Sequence, residues 1–288
     1  MRVGIVGLGI MGKAYARHLL GAGHAVTGFD VSADAVARFR KLGGTPASSN
    51  AEVAQSADIV LVALPHTDAL QEAVSGEDGL LEGAAEGLTV VEMGTFPIGV
   101  KEEARAALSP VGVSTLDAPV SGTGLQAEEA EIVVYASGDP DVIAVAMPVF
   151  DVIARATYDL GEFGNGSKMK YVANLLVSVH NLATAEAFAL GTKAGLDPQQ
   201  ILEVISAGVG SSRIFEIRGP MMVADEYPPA ARLRMFLKDI DVIGGYARSL
   251  GVPTPLLDAS LPWYQKGVEQ GLGDLDAAAL ARLLAERP

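Results

Sequence analysis

RVGIVGLGIMG, residues 2 to 12, joins a β-branched strand pattern to three glycines and the start of a helical apolar pattern. In a dinucleotide-binding turn the first glycine permits the tight turn, and the second lets backbone amides approach a pyrophosphate. The third allows the helix to pack closely on the strand. The residues of this loop predicted to bind a cofactor are Gly7, Leu8, Gly9, Ile10, Met11 and Gly12. A glycine triplet alone is a weak signal, so its context decides.

That context includes Asp30, which ends the second predicted strand 18 positions after Gly12. A carboxylate at this place hydrogen-bonds the adenosine ribose of NAD. It would repel the 2′-phosphate of NADP, and Val31 and Ser32 supply no cation to offset the repulsion. The sequence therefore favours NAD over NADP. The alternative interpretation is a structural glycine turn in which Asp30 caps the following helix.

Short β-branched runs alternate with helical patterns over the first half of the chain. The predicted strands are RVGIV (2–6), AVTGF (25–29), DIVLVAL (58–64), LTVVEM (88–93), STLDA (114–118) and EIVVYAS (131–137). This βαβ alternation predicts an α/β fold with a mainly parallel sheet covered on both faces. From about residue 166 the patterns are helical only. We expect an NAD-binding domain over 1–162 and an all-α domain for substrate binding and oligomerisation over 163–288.

Composition limits the partners. The 288 residues carry a formal net charge of -14 and include no cysteine. The negative charge disfavours nucleic acid and anionic membranes. The lack of cysteine excludes thiolate metal sites and fits a cytoplasmic location. No metal is predicted, because the four histidines do not have a ligand spacing; they are His18, His24, His66 and His180.

The stretch DAPVSGTG (117–124) follows the fifth predicted strand. Its Ser-Gly turn leaves backbone amides and a hydroxyl accessible, which suits a small carboxylate. Ser121, Gly122 and Thr123 are therefore candidate substrate-binding residues. On this stretch alone, an ordinary turn between two strands is the better interpretation.

The stretch GNGSKMKYVAN (164–174) turns into a long apolar segment that carries Lys170 and Asn174. Residues four apart share one face of a helix. A lysine held against apolar surroundings loses solvation of its ammonium form, which lowers the pKa of the amine towards the range of proton transfer. The plain alternative is that Lys170 follows the surface and Asn174 is solvated. Lys168 lies on a different face and is expected to be exposed.

In combination, four stretches occur in the order and at the spacing of β-hydroxyacid dehydrogenases, and the chain resembles that family along essentially its whole length. They are MRVGIVGLGIMG, DAPVSGTG, GNGSKMKYVAN and FLKDIDVIGGYARSLG. Members include 3-hydroxyisobutyrate dehydrogenases, tartronate semialdehyde reductases and glyoxylate/succinic semialdehyde reductases. The resemblance implies a Rossmann-type domain with a doubly wound, mainly parallel sheet, followed by an all-α C-terminal domain.

The resemblance also implies roles for single residues. Lys170 matches the catalytic lysine, and Asn174 matches the amide beside it that binds the substrate. Ser121 and Gly122 match the Ser-Gly pair that holds the substrate carboxylate. The remaining matches are Leu64, Pro65, Thr95 and Lys238 on the cofactor side and Asp239 on the substrate side.

Three departures from the family pattern bear on substrate shape. Thr123 stands where a second glycine is usual, Gly94 where a serine is common, and Ala231 where several members carry an aromatic residue. The type of reaction is little affected by them.

These observations predict an NAD-dependent oxidoreductase that interconverts a small β-hydroxy acid and its semialdehyde or keto acid, with Lys170 as general acid/base. A homodimer or homotetramer is expected. Two alternatives stay open. One is an imine reductase-like NADPH enzyme, although such enzymes usually replace the catalytic lysine. The other is a non-catalytic NAD-binding sensor or scaffold, which would not need Lys170, Asn174 and Asp239 together.

Overall fold

A computed structural model describes residues 1–285. The chain forms two compact units, of which the first covers Met1–Lys170 and the second begins at Tyr171. One unit gives way to the other inside a continuous helix, Asn165–Lys193. The domain boundary after residue 162 stays a prediction.

The first unit is built on a six-stranded parallel sheet. Its strands are β1 (Arg2–Val6), β2 (Ala25–Phe29), β3 (Thr45–Pro46), β4 (Ile59–Val62), β5 (Thr89–Glu92) and β6 (Ser114–Asp117). Their spatial order is β3-β2-β1-β4-β5-β6, and each neighbouring pair is parallel. Strand order therefore reverses between β1 and β4, and sheets of this kind bind ligands at the carboxyl ends of the strands near the reversal. The predicted doubly wound sheet is confirmed.

Helices cover both faces of this sheet. They are α1 (Ile10–Gly21), α2 (Ala33–Lys41), α3 (Asn50–Ser56), α4 (Thr67–Ser75), α5 (Leu80–Gly83), α6 (Ile98–Leu108), α7 (Gly124–Glu128) and α8 (Pro140–Ile153), with a 3₁₀ turn at Ser109–Val111. Strand β4 supplies both layers of the core: Ile59 and Leu61 pack on one side of the sheet, whereas Val60 and Val62 pack on the other. A strand buried on both faces has no polar side, which explains its continuous apolar sequence.

A second, three-stranded sheet was not foreseen. It consists of β7 (Val120–Ser121), β8 (Val133–Ala136) and β9 (Ala156–Asp159), with β7 antiparallel and β9 parallel to β8. The predicted strand at 131–137 therefore forms, but outside the main sheet. An isolated antiparallel bridge between Asp117 and Ser137 sets β8 against the end of β6. Strand β7 has two residues and β9 is a mixed ATYD segment, so neither shows a strand pattern.

The second unit is helical, as predicted. Its helices are α9 (Asn165–Lys193), which begins in the first unit, α10 (Pro198–Ser206), α11 (Arg213–Ala224), α12 (Leu233–Ser249), α13 (Pro255–Glu269) and α14 (Leu280–Ala285), with a 3₁₀ turn at Ala277–Ala279. A buried ion pair joins Arg218 Nε to Asp276 Oδ1 at 3.0 Å, and the other carboxylate oxygen accepts from the Ala231 amide at 2.8 Å. Within residues 1–285, none of the helices is both long enough and apolar enough to cross a membrane.

Candidate active site

The glycine turn after β1 has two sterically required glycines and one open glycine. Gly7 has a φ of 90°, and a Cβ there would lie 2.4 Å from the Ala63 carbonyl oxygen. A Cβ on Gly12 would lie 1.9 Å from the Gly7 carbonyl oxygen, so α1 rests directly on the turn. A Cβ on Gly9 would meet no atom of the described residues within 4 Å. Gly9 also begins α1 without a side-chain cap, which leaves first-turn amides available for a pyrophosphate.

The other three loop residues differ in the exposure of their side chains. Leu8 is buried in the core and Met11 packs against it, while Ile10 is exposed. Leu8 and Met11 could therefore contact a cofactor mainly through their backbones, whereas the Ile10 side chain is accessible.

Asp30 follows β2 and fixes the turn. Its Oδ2 accepts from the Leu8 amide at 2.7 Å, and its Oδ1 accepts from the Ser32 amide at 2.8 Å. Ser32, and not Asp30, caps α2 by accepting from the Ala35 amide. Each carboxylate oxygen keeps a further lone pair for a ligand hydroxyl. The next residue, Val31, is an apolar side chain that is 95% exposed.

Three predicted cofactor residues follow the carboxyl ends of β4 and β5. Leu64 is half-buried and Pro65 exposed after β4, and Thr95 is half-buried after β5. The departure at Gly94 has a physical reason, because a Cβ there would lie 2.4 Å from the Phe96 ring and 2.7 Å from Glu92 Oε1. Backbone bonds hold this residue in place: its amide donates to Glu92 Oε1 at 2.7 Å, and its carbonyl accepts from Lys101 Nζ at 2.8 Å.

The Ser-Gly turn presents fewer donors than its sequence indicates. Gly122 has a φ of 146°, and a Cβ there would lie 2.6 Å from the Ile132 side chain, so glycine is required. Thr123 instead caps α7 in a reciprocal pair: its hydroxyl accepts from the Gln126 amide, and its own amide donates to Gln126 Oε1 at 2.9 Å. Since the Thr123 amide is used in the cap, the Ser121 hydroxyl and the Gly122 amide are the candidate donors for a carboxylate.

Helix α9 begins against the backbone of β8 in the second sheet and of β6 in the main sheet. A Cβ on Gly166 would lie 2.3 Å from the Tyr135 carbonyl oxygen and 2.7 Å from that of Asp117. Lys170 lies one turn further along the helix and is half-buried. Lys168 is exposed, as predicted, and its Nζ donates to Asn165 Oδ1 at 2.9 Å.

In the second unit, Asp239 organises two of the predicted residues. Its Oδ2 accepts from Asn174 Nδ2 at 2.7 Å, and its Oδ1 lies 3.5 Å from Lys238 Nζ. The bond joins α9 to α12 and orients the Asn174 amide so that its carbonyl oxygen is the group left to accept. Sequence reasoning assigned Asp239 to the substrate and did not foresee this contact with Asn174.

A buried charged cluster, Glu92, Lys101 and Asp117, was also missed. Lys101 Nζ lies 2.5 Å from Glu92 Oε2 and 2.7 Å from Asp117 Oδ1, and all three side chains are at most 7% exposed. Burial, aided by the charge of Asp117, raises the pKa of Glu92 above its usual value. Burial alone would lower the pKa of Lys101, but the two carboxylates outweigh it and raise the pKa, so the ammonium stays charged.

The parallel sheet, the glycine turn and the acidic residue after β2 together define an NAD(P)-binding oxidoreductase fold. Comparison with known proteins agrees. Residues 2–161 match the NAD binding domain of 6-phosphogluconate dehydrogenase, and residues 164–284 match the family described as the NAD-binding domain of NADP-dependent 3-hydroxyisobutyrate dehydrogenase.

Similar proteins cover nearly the whole chain. The L-threonate dehydrogenase of Cupriavidus necator is 33% identical over 98% of this chain and 95% of its own length. Glyoxylate/succinic semialdehyde reductase 1 of Arabidopsis thaliana is 30% identical over 97% of each chain. A crystal structure of 3-hydroxyisobutyrate dehydrogenase from Salmonella typhimurium superposes with a TM-score of 0.90 at 31% identity, covering 98% of this chain and 99% of that one. The chain belongs to the β-hydroxyacid dehydrogenase family and is a dehydrogenase.

The glycine turn gives a matched pair of substitutions. Gly12→Ala should lower the melting temperature of the cofactor-free protein by several degrees, because its Cβ would collide with the Gly7 carbonyl. Gly9→Ala should leave that temperature within about a degree, since its Cβ meets open space. It should nevertheless weaken NADH binding about tenfold or more by obstructing the pyrophosphate. Thermal unfolding and NADH fluorescence titration measure the two effects. Equal thermal losses in both variants would contradict this division of roles.

Proposed function

We propose that the protein is an NAD-dependent dehydrogenase that interconverts a small β-hydroxy acid and its semialdehyde or keto acid. The observation that supports this most directly is Lys170, which follows the first turn of α9, with Asn174 one turn further on and oriented by Asp239. The similarity to enzymes named L-threonate dehydrogenase and glyoxylate/succinic semialdehyde reductase supports the substrate class.

In this proposal the cofactor supplies hydride exchange with the carbinol carbon, and the protein supplies position and proton transfer. The Gly9 turn and the first amides of α1 would hold the pyrophosphate, and Asp30 would accept from the ribose hydroxyls. Lys170 takes the proton of the substrate hydroxyl in oxidation and returns it to the carbonyl oxygen in reduction. The Asn174 amide hydrogen-bonds the substrate near the same oxygen and adds no charge.

The substrate carboxylate is assigned to Ser121 and Gly122. A hydroxyl and a backbone amide that converge on an anion hold it without a nearby cation. Fixing one end of a short acid restricts which carbon faces the nicotinamide. The Thr123 side chain is engaged in the cap of α7, so it is given no contact with the carboxylate.

The alternatives make different demands on the same residues. An imine reductase-like NADPH enzyme has no need of a lysine at position 170 or of a carboxylate site at Ser121. A sensor or scaffold would bind NADH without turning over any hydroxy acid. An assay panel of C3 to C5 hydroxy acids, semialdehydes and cyclic imines, each with both cofactors, separates the three.

We also propose that the chain forms a homodimer or homotetramer and acts in the cytoplasm. The second unit exposes large apolar side chains on several helices, including Leu190, Val204 and Leu256 at 61% to 75% exposure. Exposed apolar side chains are expected where subunits associate. Light scattering coupled to size exclusion measures the subunit number.

One prediction of this proposal concerns the choice between NAD and NADP. We expect kcat/KM to be at least about tenfold higher with NAD(H) than with NADP(H), a difference of roughly 1.4 kcal/mol, because Asp30 repels the 2′-phosphate. Asp30→Asn should narrow the ratio, while Asp34→Asn, the same change on an exposed acid of α2, should not. A wild-type preference for NADPH would remove Asp30 from the ribose site.

Another prediction concerns Lys170 as the proton carrier. Lys170→Ala should reduce kcat on the order of 10²-fold or more, while the Kd for NADH stays near the wild-type value. Lys168→Ala is the matched control, because this exposed lysine bonds only to Asn165 among the described contacts of its amine. Similar losses in both variants would point to damage to the helix and not to proton transfer.

A further prediction concerns the binding of the substrate carboxylate. The methyl ester of the best hydroxy acid should lose about 3 kcal/mol of transition-state binding, because a charged hydrogen-bond acceptor is replaced by a neutral one. Ser121→Ala should weaken turnover of the acid and leave that of the ester nearly unchanged. Equal kcat/KM for acid and ester in the wild-type enzyme would refute the carboxylate assignment.

A further inference from the structure

Lys101 has no place in the proposed chemistry, yet it is the one lysine that is buried among residues 1–285. Its side chain is 0% exposed. An ammonium has three donors, and Nζ has three oxygen partners within 2.8 Å: Glu92 Oε2, Asp117 Oδ1 and the Gly94 carbonyl. Two of these contacts are hydrogen bonds, to Asp117 and Gly94, and the third is an ion pair with Glu92, so three oxygens surround the buried amine.

Its two carboxylate partners lie at the carboxyl ends of strands, the side on which doubly wound sheets bind ligands. Glu92 is the last residue of β5 and Asp117 is the last residue of β6. Lys101 reaches both from the first turn of α6. The ammonium therefore spans the carboxyl ends of two adjacent strands and holds them at one spacing.

One arm of the cluster continues to the start of α9. Asp117 Oδ2 accepts from the Ser167 amide at 2.8 Å, and Oδ1 accepts from the Ser167 hydroxyl at 2.9 Å. Ser137 accepts from the Gly166 amide at 2.9 Å and donates to the Asp117 carbonyl oxygen. First-turn amides of α9 are thus satisfied by the ends of β6 and β8 instead of by a local cap, and a carboxylate there also suits the helix dipole.

The other arm fixes the loop after β5. The Gly94 amide donates to Glu92, and its carbonyl accepts from Lys101. Both backbone groups of the residue before Thr95 are therefore held by the same cluster.

We propose that Lys101 is a positioning residue, which through Asp117 and Ser167 sets where Lys170 stands and through Gly94 sets where Thr95 stands. Lys170 lies three residues after Ser167 on the same helix, a rise of about 4.5 Å. Burial of ions is a poor source of stability, since apolar replacements of buried ion pairs are often neutral or stabilising. A cluster that fixes two loops of a site is instead suited to specifying geometry. This inference rests on the catalytic role proposed for Lys170.

The test uses two buried serines of α9. Ser167→Ala removes one bond to Asp117 and should lower kcat about tenfold, with the Kd for NADH within about twofold of wild type, because misplacing a catalytic group slows chemistry more than it weakens binding. Ser178→Ala is the matched control, since the Ser178 hydroxyl is buried without a hydrogen-bond partner among residues 1–285. It should leave both quantities within about twofold of wild type.

Lys101→Met should lower kcat at least as much as Ser167→Ala and should speed hydrogen exchange at 165–170; if it does not fold, the Ser167→Ala result still decides. The inference is overturned if folded Ser167→Ala keeps kcat within twofold while Lys170→Ala loses about 10²-fold. It is also overturned if Ser167→Ala and Ser178→Ala lose kcat equally. If Lys170→Ala itself keeps its activity, the proposed function fails as well, so the two failures are distinguishable.

Discussion

One buried ammonium holds together the part of the first unit on which the candidate site is built. Two carboxylates at the ends of adjacent parallel strands would repel each other in a water-free environment. Lys101 lies between Glu92 and Asp117 and forms an ion pair with each of them. The Asp117 backbone forms a β-bridge with Ser137, and its carboxylate accepts a hydrogen bond from the Ser167 amide. Asp117 therefore connects the main sheet to the second sheet and to the start of α9.

The shape of the cofactor turn depends instead on steric contacts of its glycines. Gly7 and Gly12 are required by contacts with backbone atoms, whereas Gly9 is required only if something occupies the space beside it. The open space beside Gly9 leaves room for a ligand to approach the backbone closely. The structure thus separates the glycines that build the turn from the one that keeps it open.

Local patterns allowed the fold and much of the candidate site to be predicted, and long-range contacts were beyond them. The glycine turn and the burial of β4 were predictable because each depends on neighbours within one βαβ unit. The cluster of Glu92, Lys101 and Asp117 was not, since its members come from three different elements, and nothing in a single sequence pairs them. Strand β7 was too short to show a period. The Thr123 cap could have been predicted, because Thr-x-x-Gln is a capping-box spacing.

A chain with net charge -14 that handles an anionic cofactor and an anionic substrate must prevent its own carboxylates from repelling them. Distant charges matter little, since the Debye length is about 8 Å at physiological salt. The carboxylates among the candidate residues are each tied to donors: Asp30 to two amides, and Asp239 to Asn174 with Lys238 nearby. Hydrogen bonds to a carboxylate spread its charge over the donors and fix where its remaining lone pairs point. Local donors therefore fix how these two carboxylates point, while the overall charge of the chain stays strongly negative.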